Sequence, residues 1–159
     1  LYGEMSQAGQ YLCINSCGDY HNVKPKTVIV DCKTDEVKTF DFPATYNTTD
    51  GNLFYTIGSA FSYITNEYTY YIKTINPKTR EVADGIFCNA ITQKIKEITS
   101  PYELYISPYT KNVYFTDAGS YGSAGYLYGY TNEVQPVFAP QKTYVNPAHI
   151  LALPVYENK

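Results

Sequence analysis

The sequence predicts an all-β chain built of β-propeller blades, each a four-stranded antiparallel sheet, with about three to four blades in all. Three observations carry this prediction. Aromatic residues make up 16% of the 159, with 19 Tyr and no Trp, and aromatic and β-branched residues fit the pleated surface of a sheet. A short apolar alternation recurs three times. Each copy is followed by a loop with an aromatic at the same offset and, further on, by a similar polar turn.

The three alternating segments are Tyr11-Leu12-Cys13-Ile14-Asn15, Leu53-Phe54-Tyr55-Thr56-Ile57 and Val113-Tyr114-Phe115-Thr116-Asp117. Leu12, Leu53 and Val113 correspond, as do Ile14, Tyr55 and Phe115. Residues two apart share one face of a strand. The loop aromatics are Tyr20, Phe61 and Tyr121. Second strands follow at Thr27 to Asp31, Tyr70 to Asn76 and Tyr126 to Tyr130.

Then comes the polar turn. Asp31-Cys32-Lys33-Thr34-Asp35-Glu36-Val37 aligns with Asn76-Pro77-Lys78-Thr79-Arg80-Glu81-Val82, and Tyr130-Thr131-Asn132-Glu133-Val134 is a shorter copy. Asp or Asn suits the opening of such a turn, and Pro77 pre-sets its backbone. Val37, Val82 and Val134 are expected to begin the next strands, and lie 45 and 52 residues apart. The best-preserved unit has strands near 102–107, 112–117, 125–130 and 134–138. The first of these is bounded by Pro101 and Pro108 and alternates Leu104 with Ile106. The other first strands are weaker, at Leu1 to Met5 and Ala44 to Asn47. Asn146-Pro147-Ala148-His149-Ile150-Leu151-Ala152-Leu153 reads as another opening strand.

Units of four short strands repeating at about 40–50 residues read as propeller blades rather than a β-sandwich. The units are 1–42, 43–97 and 98–140, with 141–159 starting a further or closing blade. Closed propellers have about four to eight blades. The chain is therefore expected to be part of a larger propeller. Its partners are the remaining blades or, failing those, a second copy, because an open array exposes strand edges and apolar faces.

Fifteen acidic against twelve basic residues, with no basic block, exclude a nucleic-acid binder. No apolar run reaches the length of a membrane-spanning helix. The chain opens at Leu1, as expected of a processed chain or an excised piece. Cys13, Cys17, Cys32 and Cys88 leave three full pairings open. The spacing Cys13-x3-Cys17-x3-His21 invites a zinc reading, but structural zinc sites have tighter Cys pairs and four ligands. Cys13 and Cys32, inside strand-like runs, are instead expected to pack as small apolar side chains.

No catalytic constellation stands out. Gly119 to Gly125 joins two strands rather than opening a helix, so it is not a phosphate loop, and there is no G-x-S-x-G elbow. His149 sits in an apolar run and reads as structural. Asp19, Asp50, Asp84 and Asp117 show no spacing that demands a carboxylate pair. Asp117 with Ser120 lacks the dense acidic set calcium needs. No catalytic residue, metal ligand or cofactor is assigned, and the chain is expected not to be an enzyme.

The candidate binding site lies in the three repeat-equivalent loops, 17–21, 59–63 and 118–122, which a propeller gathers on one face. Its residues are Asp19, Tyr20, His21, Phe61, Tyr63, Asp117 and Tyr121. Small residues there let backbone approach a ligand, and Tyr offers a broad face with a hydroxyl. The competing reading is that these aromatics cap their own blades. Tyr105, Tyr114 and Tyr128 are expected between blades or on exposed strand faces.

The run from Pro101-Tyr102-Glu103-Leu104-Tyr105-Ile106-Ser107-Pro108 through Val113-Tyr114-Phe115-Thr116-Asp117-Ala118, with Tyr121, Gly125, Tyr126, Tyr128 and Tyr130, resembles the YncE-like, surface-layer-type seven-bladed propellers. It is most similar to propeller lipoproteins of Bacteroidales cell surfaces. The match is good over 98–153, moderate over 10–41 and weak over 44–97, and Glu103 stands where the family usually has Gly. The resemblance implies an exported protein of the cell surface or periplasm that binds without catalysis. Cobalamin is one candidate ligand and a TonB-dependent transporter one candidate partner. It also leaves open a lactonase- or hydrolase-type propeller enzyme with a central metal, and a scaffold for an outer-membrane transporter. Blade motifs carry fold more safely than function.

Overall fold

The computed structural model describes residues 5–16, 18–19, 21–42, 44–84, 86–151 and 153, with the backbone alone at 86–89. Twelve strands and one helix make three four-stranded antiparallel sheets. The first holds β1 (Met5–Ala8), β2 (Tyr11–Ser16), β3 (Lys26–Asp31) and β4 (Glu36–Phe40). The second holds β5 (Tyr46–Thr49), β6 (Phe54–Ser62), β7 (Glu67–Ile75) and β8 (Val82–Ala83), followed by helix α1 (Ile86–Lys96). The third holds β9 (Pro101–Ile106), β10 (Val113–Asp117), β11 (Tyr126–Tyr130) and β12 (Gln141–Lys142). In every sheet spatial order follows chain order, the up-and-down connectivity of propeller blades.

The first strands of successive sheets lie side by side, β1 against β5 and β5 against β9. The hydroxyl of Ser6 on β1 donates to Asn47 Oδ1 on β5. Tyr46 on β5 packs its ring 6.1 Å from Tyr102 on β9. These strands form the inner rim of an arc, and the sheets fan outward from it.

Two cores lie between the blades. Ala8, Cys13, Ile29 and Phe40 of blade one close on Phe54 and Ile75 of blade two. Tyr55, Ile57 and Ile72, on the other face of blade two, close with Ile91 and Ile95 of α1 on Leu104, Ile106, Val113 and Phe115 of blade three. Phe54 and Tyr55 are adjacent in sequence, so strand alternation sends them into different cores. Phe115 stacks on Tyr128 and Tyr130 at 5.3 and 5.7 Å. Cys13 is buried, and burial pushes its thiol up to about 12.

The hairpin turns follow one design. The Asp31 carboxylate accepts the Lys33 N–H at 3.0 Å. Asn76 Oδ1 accepts from Lys78 and Thr79, and Thr131 Oγ1 accepts from Glu133 and Gln135. Each turn then has a residue of positive φ: Asp35 at 57°, Arg80 at 64° and Val134 at 63°.

Several expectations need correction. Val134 lies in the turn and does not start a strand. The fourth strand of blade three is β12 rather than 134–138. Pro136 has no N–H to continue a ladder, so pairing there is one bridge from Tyr130 to Pro136. Phe138 leaves the ladder and lies over Tyr114, 6.2 Å between centroids. Residues 147–151 and 153 pair with no strand among the described residues. The first strand among the described residues is Met5–Ala8, and all but Met5 of the strand expected at Leu1 to Met5 lies outside them. Cys32 is exposed in the β3–β4 turn rather than packed. His149 is exposed. Glu103, despite standing for the family Gly, continues β9 opposite Thr116 and is buried.

Helix α1 had no counterpart in the sequence reading, and it lengthens the second repeat period. β8 pairs only with Thr74 and Ile75. Beyond it, Thr92 Oγ1 of the helix accepts the Ile72 N–H at 3.2 Å. The helix thus covers an edge that a longer fourth strand would have paired. Lys94 and Lys96 fall in its last turn, where the helix dipole favours positive charge.

A polar pin joins blades two and three. Lys111 Nζ donates to the Asp50 carbonyl at 2.8 Å and lies 3.3 Å from its carboxylate. Burial raises the Asp50 pKa, but N–H groups of Leu53 and Asn52 and the Lys111 ammonium outweigh it, leaving the carboxyl below its ordinary value. A lowered folded-state pKa gives stability that is present above the unfolded value of about 4 and lost as pH falls through the folded value. Asp50→Asn is expected to melt lower than wild type at pH 7 and to lose less on acidification below about pH 4. Thermal melts across that range check it, and parallel wild-type and variant curves would exclude the pin's role.

Candidate functional site

The three B–C connections, between second and third strands, emerge at the same end of the arc, but they are not three similar loops. In blade two β6 and β7 run on as a hairpin arm. β5 pairs only with Phe54 to Ile57, so the pairs from Gly58↔Tyr71 to Ser62↔Glu67 stand beyond the inner strand. Residues 59–62, read as a loop from sequence, are strand, and Phe61 belongs to it. The turn itself is 63–66, closed by the Asn66 N–H donating to the Ser62 carbonyl at 2.8 Å.

The arm carries a run of rings. Phe61 meets Tyr63 edge-on at 5.0 Å and its cross-strand partner Tyr68 at 4.9 Å. Tyr68 stacks on Tyr70 at 6.4 Å. A second run starts in blade three, where Tyr121 meets Tyr102 edge-on at 5.9 Å and Tyr102 continues to Tyr46. The two runs are within electrostatic reach: burial raises the Tyr70 pKa, and Tyr121, Tyr68 and Asp117 add to the shift. Tyr70 therefore stays a neutral hydroxyl at physiological pH. Tyr63 is 91% exposed and Tyr121 54%. A groove of about 520 Å³ lies along one side of the arm, between Tyr68 and Tyr70 and the residues Lys96, Ile98 and Thr99. A second groove, of about 550 Å³, shares Thr69, Tyr70 and Lys96 with the first and takes in Phe42, Tyr71 and Lys73. Lys73 lies over the rings of Phe42 and Tyr71 and pairs with Asp84 at 2.9 Å.

The carboxylates of the sequence-based site act inward. Asp19 Oδ1 accepts the N–H groups of His21, Asn22 and Val23 at 2.8–2.9 Å. These bonds hold its pKa below the ordinary carboxylate value, His21 and Val23 contributing most. Asp117 is buried and accepts from Ser100 and Gly119, each at 2.8 Å, and from Thr99 at 3.2 Å. Both brace loops, Asp19 through Oδ1 alone and Asp117 through both oxygens. His21 is exposed at the tip of the Asp19 turn. Tyr20 and Cys17 lie outside the described residues. Cys13, from the zinc spacing, points into the core while His21 faces solvent.

Phe61 and Tyr63 therefore share one run of rings with Tyr68 and Tyr70, and Tyr121 shares another with Tyr102 and Tyr46. Tyr46, Tyr68, Tyr70 and Tyr102 escaped the sequence reading. The period-2 spacing of Tyr68 and Tyr70 was the available signal: folding the chain between Ile64 and Thr65 places Tyr68 opposite Phe61.

No family model and no curated protein matches the chain. Among solved structures it is similar to the β-propeller domain of the Trilobed protease from Pyrococcus furiosus, described as having an open velcro topology. The identity is 10% and the TM-score 0.49, over 89% of this chain and 42% of that one. The chain thus spans less than half of that neighbour.

Proposed function

We propose that the chain is part of an exported, non-catalytic binding propeller that receives its ligand on the aromatic end of the arc. The observation supporting this is the two runs of rings at that end, Tyr46, Tyr102 and Tyr121 in one and Tyr70, Tyr68, Phe61 and Tyr63 in the other. Rings held by strands lose little entropy on binding, and Tyr adds a hydroxyl at the edge of a flat contact. Such a surface suits a broad, planar ligand with a polar rim. The YncE-like resemblance makes cobalamin the first candidate and the surface or periplasm of a Bacteroidales-type cell the expected place. The exposed tip residues Tyr63 and Ile64 favour a second reading, a protein partner such as a TonB-dependent transporter gripped by the arm.

The test is retention of cyanocobalamin by the protein through a desalting column, read from its visible absorbance. Stoichiometric retention is expected. Tyr68→Ala with Tyr121→Ala should weaken binding about tenfold or more, each ring being worth about 0.5–1.5 kcal/mol beyond its area. No retention at micromolar ligand would remove cobalamin, and retention untouched by both substitutions would remove the site.

A further inference from the structure

Blade one buries only one of its two faces. The other carries two apolar rows set by register: Met5, Ile14 and Val28 in one, Leu12, Val30 and Val37 in the next. None of these six side chains is fully buried, and Met5 and Val37 are exposed. The faces that pack between blades one and two and between two and three are built the same way, from apolar residues two apart on neighbouring strands. Soluble proteins rarely leave a patch of this kind open.

At the other end of the arc the chain repeats a manoeuvre. After β4 it crosses the end of blade one, where Thr27 Oγ1 donates to the Phe42 carbonyl at 3.5 Å, and then enters inner strand β5. After β12 it crosses blade three. Gly125 and the segment 143–144 exchange two backbone bonds, and Thr116 Oγ1 donates to the Pro147 carbonyl at 2.8 Å. The run beyond Pro147, which pairs with no strand among the described residues, then exposes Leu151 to 79% and Leu153 to 74%. It resembles the strand opening at Pro101 in sequence and follows the crossing as β5 follows its own.

We propose that residues 147–151 belong to the inner strand of a fourth blade, and that the Met5, Leu12, Ile14, Val28, Val30 and Val37 face is a blade-on-blade interface. The occupant of both is further four-stranded blade structure of the same polypeptide, outside these 159 residues. Continuity of the established interfaces and the covalent delivery of an inner strand favour this occupant over a second copy.

The experiment is carbene footprinting of the protein at its natural length, unmodified, with Tyr63 as the exposed reference and native mass measured in parallel. Leu12, Val28, Val30 and Leu151 are expected to label at least tenfold less than Tyr63 in a particle of one polypeptide. Labelling comparable to Tyr63 would overturn the proposal. So would protection found only in a particle of two copies and lost on dilution to one.

Discussion

Gly125→Ala is expected to destabilise the protein by about 3 kcal/mol or more and to lower the melting temperature by about 10 °C. A Cβ at this position would lie 2.1 Å from the Asp117 carbonyl oxygen and 3.1 Å from the ring of Pro147. The oxygen belongs to the backbone at the end of β10, so it cannot swing aside as a side-chain tip could. The glycine is also held in place, with its N–H donating to the Tyr144 carbonyl and its own carbonyl accepting from Thr143. Relief requires moving Gly125 away from the end of β10, which also strains its two bonds to the crossing segment. Calorimetry of the variant decides the point, and a melting temperature within a degree or two of wild type would show that the backbone around Gly125 yields at little cost. Gly122→Ala is the matched control, since a Cβ there meets nothing within 4 Å.

Phe115→Ala should cost about 3–5 kcal/mol, the range for removing a fully buried ring. Phe115 is 0% exposed and lies between two Tyr rings in the core shared by blades two and three. Its loss removes apolar burial and two stacked contacts and leaves a cavity against Tyr55 and Ile57 across the interface. The effect should appear in the denaturant midpoint with the slope unchanged. Tyr109→Ala, at an exposed turn, should move it by no more than about 0.5 kcal/mol. Equal effects at the two positions would contradict the placement of the inter-blade core.

What was legible beforehand was whatever depends on neighbours in sequence. Strands β2, β3, β10 and β11 follow from period-2 alternation. The turns at Asp31 and Asn76 follow from side chains that bond their own backbone. What stayed hidden depends on distant partners. The length of the β6–β7 arm is set by pairing beyond β5, and Ser59-Ala60-Phe61-Ser62 looks as much like a loop as a strand until Tyr70 to Glu67 lie opposite. β12 is displaced because Pro136 interrupts one ladder and residues 141–142 find another. α1 was missed because its signal is confined to a few residues such as Ile91 and Ile95, whose spacing matters only against β7 and blade three. In the site, residue type pointed correctly to Tyr121, Phe61 and Tyr63 as surface aromatics. It did not reveal that Asp19 and Asp117 brace their own loops, since a carboxylate in that role and one facing a ligand look alike in sequence.

The buried thiol of Cys13 makes the seam between blades one and two a clock. Thiol reagents attack the thiolate, and a group that titrates at about 12 inside the core is closed to them at neutral pH, whereas Cys32 is in solvent. In a variant with Cys17, Cys32 and Cys88 replaced by Ser, each alkylation of Cys13 would record one parting of the two sheets. The rate, followed against denaturant, would tell whether the first two blades separate on their own or only when the whole arc unfolds.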